Sequence, residues 1–262
     1  MEIITGSSGF IGRNLVKRLN NPIRIPHEDI LYTDWSKATK VYFLSAYGNM
    51  YGQDEEQKII QANLIDLCFV LATVDWSKIE SFVYVSTSSV KLKRQTMYSR
   101  SKKAAEEILL AYMEKYDAPI TIIRPLSVTG VGEQKEHLIP KLIDSCLNNT
   151  PMDFVQEPTH DFIDVQDLVD GIMNLSNNKA KGIFELGTGE MISNLKVLEI
   201  VRKVTGKMAN IRLVSSLRPY DTEKWVSENF KARGWGWLAK KTLEQSITEM
   251  VNEAKNGEIK SK

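Results

Sequence analysis

Glu2-Ile3-Ile4-Thr5-Gly6-Ser7-Ser8-Gly9-Phe10-Ile11-Gly12 opens the chain. A short apolar strand runs directly into three glycines spaced three apart, and Arg13 to Leu19 then carries helical apolar spacing at Leu15, Val16 and Leu19. Strand, glycine loop and helix in this order make a dinucleotide-binding turn. Gly6 permits the tight turn, Gly9 lets the backbone approach a diphosphate, and Gly12 lets the helix pack close to the strand. The helix N-terminus offers free N–H groups and partial positive charge to the diphosphate. The candidate cofactor contacts here are Gly6, Ser8, Gly9, Phe10, Ile11 and Gly12.

Working outward, Pro22 to Pro26 predicts a second strand ending near His27-Glu28-Asp29. An acid at that point accepts bonds from a ribose, and a base favours a 2′-phosphate. The register is ambiguous, so the choice between NAD and NADP stays open. Ile30 to Trp35 reads as a third strand and its end, with a crossover helix lost or reduced to a turn before Val41. Asp34 and Trp35 are either adenine contacts or a surface loop with a packed indole. Val41 to Ala46 is an apolar strand, and Leu44, Ser45 and Ala46 at its small end leave room for a cofactor. Glu55 to Thr73 reads as an amphipathic helix holding Asn63, a polar group that needs partners. Ser81 to Val85 is a further strand, with hydroxyls Ser86 to Ser89 at its carboxyl end, the edge where open parallel sheets bind ligands.

Tyr98 and Lys102 follow on a helix reaching Tyr116, four apart and so on one face. A nearby ammonium stabilises a phenolate, so such a Tyr can exchange a proton with a carbonyl or alcohol oxygen. Pro119 to Arg124 is another buried strand, closed by Pro125. This alternation predicts an α/β fold with a doubly wound parallel sheet. We expect the dinucleotide-binding domain over 1–126 plus 161–190. The remainder, 127–160 plus 191–262, lacks a phosphate loop and reads as a small α/β substrate-binding cap.

Net charge is +1, which gives no bulk attraction to nucleic acid or an acidic membrane surface. No apolar run is long enough to span a bilayer. Cys68 and Cys146 are far apart and form no metal pattern, so no metal is expected and a reduced, cytoplasmic protein is.

Taken together, these motifs resemble the extended short-chain dehydrogenase/reductases, in particular the NAD-dependent epimerase/dehydratase family acting on nucleotide sugars. The carrying stretches are Thr5 to Gly12, Ser86 to Val90, Tyr98-x-x-x-Lys102, Arg124 to Gly130, Asp161 to Asp167, and Arg218-Pro219-x-Asp221. The resemblance implies a Rossmann sheet, NAD or NADP, a nucleotide-sugar substrate and a homodimer. It implies Thr87 as the hydroxyl orienting the sugar, Tyr98 as proton donor or acceptor, and Lys102 as the group that lowers the Tyr98 pKa and bonds the nicotinamide ribose. It also implies Asn63 as support for the proton relay, Pro125 beside the cofactor, Ser88, Ser127 and His160 at the substrate, and Arg218 as a diphosphate clamp. The family's 4,6-dehydratases place an acid pair where Ser88 and Ser89 stand, and its fucose-synthase-type members carry a Cys just after the catalytic Ser. The usual Asn is replaced at Ser127 and the usual Arg at His160. The departure at Ser88 and Ser89 speaks against dehydration, and the compact cap, in which a one-way reduction needs no rotation of the sugar, points to reduction of a keto-sugar, with a 4-epimerase retaining NAD as the alternative. A non-catalytic dinucleotide sensor or scaffold is the alternative of another class.

Overall fold

The chain's first strand, β1 (Glu2–Thr5), is apolar enough to lie between two helical layers, and it forms the hub of the sheet. The computed structural model describes residues 1–50, 52–215 and 226–260, with side chains described to residue 256. After β1 come α1 (Phe10–Val16), β2 (Ile23–Ile25) and β3 (Lys40–Phe43). Next are α2 (Glu56–Ile60), a π-helical turn (Gln61–Ile65) and α3 (Asp66–Thr73), then β4 (Ser81–Val85), α4 (Met97–Tyr116) and β5 (Ile120–Pro125). The later elements are β6 (Ser127–Thr129), α5 (Leu138–Asn148), β7 (Met152–Phe154), β8 (Thr159–His160), β9 (Phe162–Asp164) and α6 (Val165–Asn177). β10 (Gly182–Leu186), β11 (Ile192–Ser193), α7 (Asn194–Thr205), β12 (Ile211–Leu213), α8 (Phe230–Gly234) and α9 (Leu243–Lys260) complete it.

Two compact units result. The first comprises Met1–Pro125, Val169–Leu186 and Phe230–Trp237. It is built on a six-stranded parallel sheet in the order β10-β5-β4-β3-β1-β2. Every residue of β4 is buried, as a strand covered on both faces requires. Its core joins Ile3, Val41, Phe43, Phe82 and Ile122 of the sheet to Leu67, Val70 and Leu109 of the helices. This is the doubly wound Rossmann arrangement expected. The second unit comprises Leu126–Leu168, Gly187–Asn229 and Leu238–Lys262, with its own core from α5, α7 and α9 around Phe154 and Phe162. Among the described residues it holds three two-stranded pairings, β6 with β9, β7 with β12 and β8 with β11. Because β9 pairs with β6, 161–168 lies in this second unit rather than in the first.

The expected third strand is a correction. Residues 30–35 are not a strand; His27–Tyr32 and Trp35–Lys37 are 3₁₀ turns that carry the chain from β2 across to β3. Ile30 and Trp35 are both fully buried, and the Trp35 indole N–H donates to the Ile30 carbonyl at 2.9 Å. Of the run that mimics a strand, Ile30 and Trp35 turn inward while Leu31 and Tyr32 are exposed, an arrangement of a 3₁₀ crossover rather than of a buried strand.

Candidate active site

Strand order reverses at β1: β2 lies on one side of it and β3 on the other. Doubly wound sheets bind ligands at the carboxyl edge of such a switch point. Here the two strand ends are tied together by Thr5, which is buried and accepts from the N–H groups of Leu44 at 3.2 Å and Ser45 at 3.1 Å. Gly6 follows with φ +67°, and a Cβ there would lie 2.7 Å from the Ser45 nitrogen. A Cβ on Gly12 would lie 2.1 Å from the Gly6 carbonyl oxygen. The protein's own backbone therefore requires both glycines. Gly9 differs: its exposed Cβ position meets only the Gly6 oxygen, at 3.4 Å. The space beside Gly9 and the exposed Ser8 fits a dinucleotide diphosphate, which would take the N–H groups around Phe10 and Ile11 at the start of α1. Leu44 and Ala46 are at least partly accessible beside it, while Ser45 is buried.

Trp35 is not available to an adenine, since it is a core side chain with its indole N–H already bonded. Asp34 is on the surface and caps its own turn, accepting from the Ser36 N–H and hydroxyl and pairing with Lys37 at 3.1 Å. His27, just after β2, lies 3.0 Å from the buried Asp66 carboxylate, whose pKa is raised by burial against the Gln61 hydrogen bond and the charge effect of His27.

At the carboxyl end of β4 the hydroxyls converge. Thr87 caps the following 3₁₀ turn, accepting from the Ser89 N–H at 3.2 Å. Its side chain lies near the phenol of Tyr98, the second residue of α4. Burial pushes the Tyr98 phenol up to about 12, and the Thr87 hydrogen bond works against that rise. Lys102, one turn on, is 1% exposed. It donates to the Val85 carbonyl at 2.8 Å and sits 4.1 Å above the Tyr84 ring. Desolvation lowers its pKa to about 7, opposed by the charge of Glu106. Asn63 is fully buried in the π-helical turn, a device common at functional sites. Its side chain accepts from the Tyr47 N–H and donates to the Tyr47 carbonyl and the Ser101 hydroxyl, each at 2.9 Å. Ser101 in turn donates to the Tyr98 carbonyl at 2.8 Å. Asn63 thus fixes the chain before α2 and the first turn of α4 against each other. Pro125 is buried at the end of β5, and Ser88 is buried in the 3₁₀ turn after Thr87.

Several participants are absent from the sequence reading. Glu106 lies one turn beyond Lys102 and is almost fully buried. It accepts from Ser86 and holds Arg124 through two guanidinium nitrogens, and Lys91 and Arg124 both reach Glu185. The i+4 spacing from Lys102, and one arginine inside the apolar strand β5, are the signals that mark this cluster. Ser89, Ser99 and Ser101 are also missed; only the run of hydroxyls around the Tyr98 turn announces them.

The remaining predicted residues lie in the second unit. Ser127 begins β6, where its N–H donates to the Asp161 carbonyl at 3.0 Å. His160 pairs with Ile192 and meets the Phe162 ring edge-on at 5.7 Å. Between them in sequence, the fully buried Asp161 carboxylate accepts from Thr188, Gly189 and Ser227. Arg218 lies outside the described residues. Among the described residues, no group of three or more acidic, His or Cys side chains is placed to hold a metal, and no helix is long and apolar enough to cross a membrane.

A model of the NAD dependent epimerase/dehydratase family matches residues 37–187, a span that contains Asn63, Thr87, Tyr98 and Lys102 and begins after the glycine loop. The dTDP-D-glucose 4,6-dehydratase of Bos taurus is 25% identical over 202 residues, 67% of this chain and 56% of that protein. CDP-abequose synthase of Salmonella muenchen is 23% identical over 285 residues, 95% of this chain and 96% of that protein. The chain spans about half the length of the first curated relatives it matches. Among solved structures, MoeE5 in complex with UDP-glucose and NAD superposes with a TM-score of 0.85 at 20% identity, over 97% of this chain and 98% of that one. The family match covers more than half of the sequence and contains the hydroxyl, phenol and ammonium just described, so the chain belongs to the NAD-dependent epimerase/dehydratase family.

Proposed function

We propose that the protein is an NAD(P)-dependent reductase of a nucleotide-linked keto-sugar, with Tyr98 as the proton donor. The observation that carries this reading is the grouping of Thr87, at the carboxyl end of β4, with Tyr98 and Lys102 one turn apart at the start of α4, where Lys102 is held on the Val85 carbonyl at 2.8 Å and burial keeps the phenol protonated. A phenol that keeps its proton across the working pH range is poised to give it to a developing alkoxide. The glycine loop and the Thr5-linked strand ends are the residues that would hold the dinucleotide. When bound, the nicotinamide supplies a hydride to the sugar carbon. Thr87 and Tyr98 polarise the oxygen on that carbon, and a preorganised pair of donors is worth more there than in water. Lys102, one turn along α4 from Tyr98, is anchored on the Val85 carbonyl and the Tyr84 ring. Asn63 and Ser101 fix the turn that aims Tyr98. Ser88 and Ser89 supply no acid pair after Thr87, which argues against dehydration even though dehydratases are among the relatives. That CDP-abequose synthase matches nearly end to end, and that a trifunctional Arabidopsis relative includes a UDP-4-keto-L-rhamnose reductase in its name, favours a sugar-modifying oxidoreductase.

Substitution of Tyr98 by Phe tests the assignment. Turnover should fall by about 10²–10⁴, the usual contribution of a general acid, while dinucleotide affinity measured by titration stays within about two-fold of wild type. Turnover at the wild-type level would remove Tyr98 from the chemistry. Parallel titrations with NADH and NADPH assign the cofactor.

A further inference from the structure

Two buried carboxylates flank the strand end that carries Thr87. Glu106 of α4 is 2% exposed and Glu185 of β10 is 8% exposed. Each holds one side of Thr87. Ser86, the residue before it, donates its hydroxyl to Glu106 Oε1. Lys91, which closes the 3₁₀ turn after it, lies 2.8 Å from Glu185 Oε1. Arg124 of β5 joins the two carboxylates. Its Nε donates to Glu106 Oε1 at 3.0 Å and its Nη2 to Glu106 Oε2 at 2.5 Å, while its Nη1 lies 3.9 Å from Glu185. Such a cluster is a poor source of stability, because burying charges costs free energy that their pairing returns only in part, and apolar residues of similar size do as well or better. What it supplies is direction. A guanidinium is a planar fork with fixed donors, and here it ties α4, β5 and β10 to residues 86–91.

We propose that Arg124 is a positioning residue: through Glu106 and Glu185 it fixes residues 86–91 on the sheet, and so sets where the Thr87 hydroxyl meets the substrate oxygen. The proposal rests on the reductase reading above. Thr87 also bonds within its own turn, accepting from the Ser89 N–H at 3.2 Å. The turn therefore keeps its internal shape without the clamp, and what the clamp adds is its placement. The backbone bond from the Ser86 N–H to the Ile123 carbonyl, at 2.7 Å, holds the chain just past β4 but not the turn beyond it. The far end is held by Lys91, whose side chain is 39% exposed, on a carboxylate that Arg124 also approaches. Placement matters because a reacting group displaced by a fraction of a bond length loses much of its effect on rate. The dinucleotide loop after β1 is a separate element, so loss of the clamp should spare cofactor binding.

The test asks whether Arg124 acts through Thr87. The variants are R124K, K91M and K91R, with R124K made again in a T87A background. R124K keeps the charge and loses the fork. The probes are UDP-4-keto-6-deoxy-D-glucose and its dTDP and CDP counterparts, with NADH and NADPH. In R124K and K91M, kcat should fall about ten-fold, while dinucleotide affinity by titration stays within about two-fold of wild type. Amide hydrogen exchange should quicken across 86–91 and stay unchanged across β1 and α1. K91R, which keeps the bridge to Glu185, should restore the rate lost in K91M. In T87A no hydroxyl is left to place, so adding R124K should cost less than about two-fold more. An equal fold-loss in both backgrounds would make Arg124 a structural residue and overturn the proposal, as would unchanged exchange across 86–91 in R124K. A wild type that consumes no reduced dinucleotide with any probe overturns the reductase reading alone, and the exchange measurement still decides whether Arg124 holds the segment.

Discussion

Burial holds the Lys102 ammonium down to about 7, while Glu106 one turn along α4 pulls it back up. In the unfolded chain the same group titrates near 10.5. Between those two values the unfolded state binds the proton and the folded state does not, so this group's contribution to stability rises with pH from 7 to 10.5. Below pH 7 both states are protonated and the cost of burying the charge is constant. Lys102→Met removes the term. Its melting temperature relative to wild type should be highest at pH 7 and should decline towards pH 10, by about 2–4 °C for each kcal/mol removed. A gap independent of pH, measured by thermal denaturation in matched ionic strength, would contradict the burial account. At this scale the sequence was partly legible. Thr87, Tyr98 and Lys102 are visible because acid–base chemistry restricts residue type and spacing. Glu106, Ser89 and Ser99 are less visible because Ser and Glu on a helix are ordinary surface residues until their partners are known. The direction of the Tyr98 shift is also a property of the folded environment. The ammonium that was expected to lower it is engaged with Val85 and Tyr84, and burial is the largest cause.

The glycine loop makes a prediction about an element. Gly12 packs α1 against the turn after β1, and a methyl group would meet the Gly6 carbonyl oxygen at 2.1 Å. Gly12→Ala should therefore destabilise the fold by about 1–3 kcal/mol, the cost of overpacking. Gly9 has φ −71° and open space, so Gly9→Ala should leave the melting temperature of the free protein within about 1 °C of wild type, consistent with a stability change under ~0.5 kcal/mol. It should still weaken dinucleotide binding in a titration, because the methyl group occupies the proposed diphosphate position. Wild-type affinity in Gly9→Ala would place the diphosphate elsewhere. The elements most legible in the sequence are those with one meaning. β1, β4 and β5 are apolar runs bounded by turns, and α4 has a helical apolar face with a Thr cap. Residues 30–35 are not legible as 3₁₀ turns because a short, largely apolar stretch of a crossover and a short strand cannot be told apart by periodicity. The π-helical turn carrying Asn63 leaves no mark on periodicity; one extra residue in a turn is visible only once Tyr47 and Ser101 are in place.

For the whole molecule, family membership fixes the chemistry available, and the departures around Thr87 and at Ser127 and His160 narrow it. Each unit has its own core, and the expected division of the chain at 161 shifts to 169 because strand pairing, which composition does not encode, assigns β9 to the second unit. Net charge of +1 leaves recognition to local groups rather than to a global field. Reduction and epimerisation use the same Thr87, Tyr98 and Lys102, so no residue list separates them. They differ in stoichiometry. A reductase consumes one reduced dinucleotide for every keto-sugar converted, whereas an epimerase returns the hydride to its substrate. The most direct measurement is therefore the ratio of NAD(P)H oxidised to sugar hydroxyl formed, followed by nicotinamide absorbance and product analysis with a nucleotide-linked 4-keto-sugar. For a reductase the ratio is about one. Interconversion of two epimers with no loss of reduced cofactor would contradict the reductase reading.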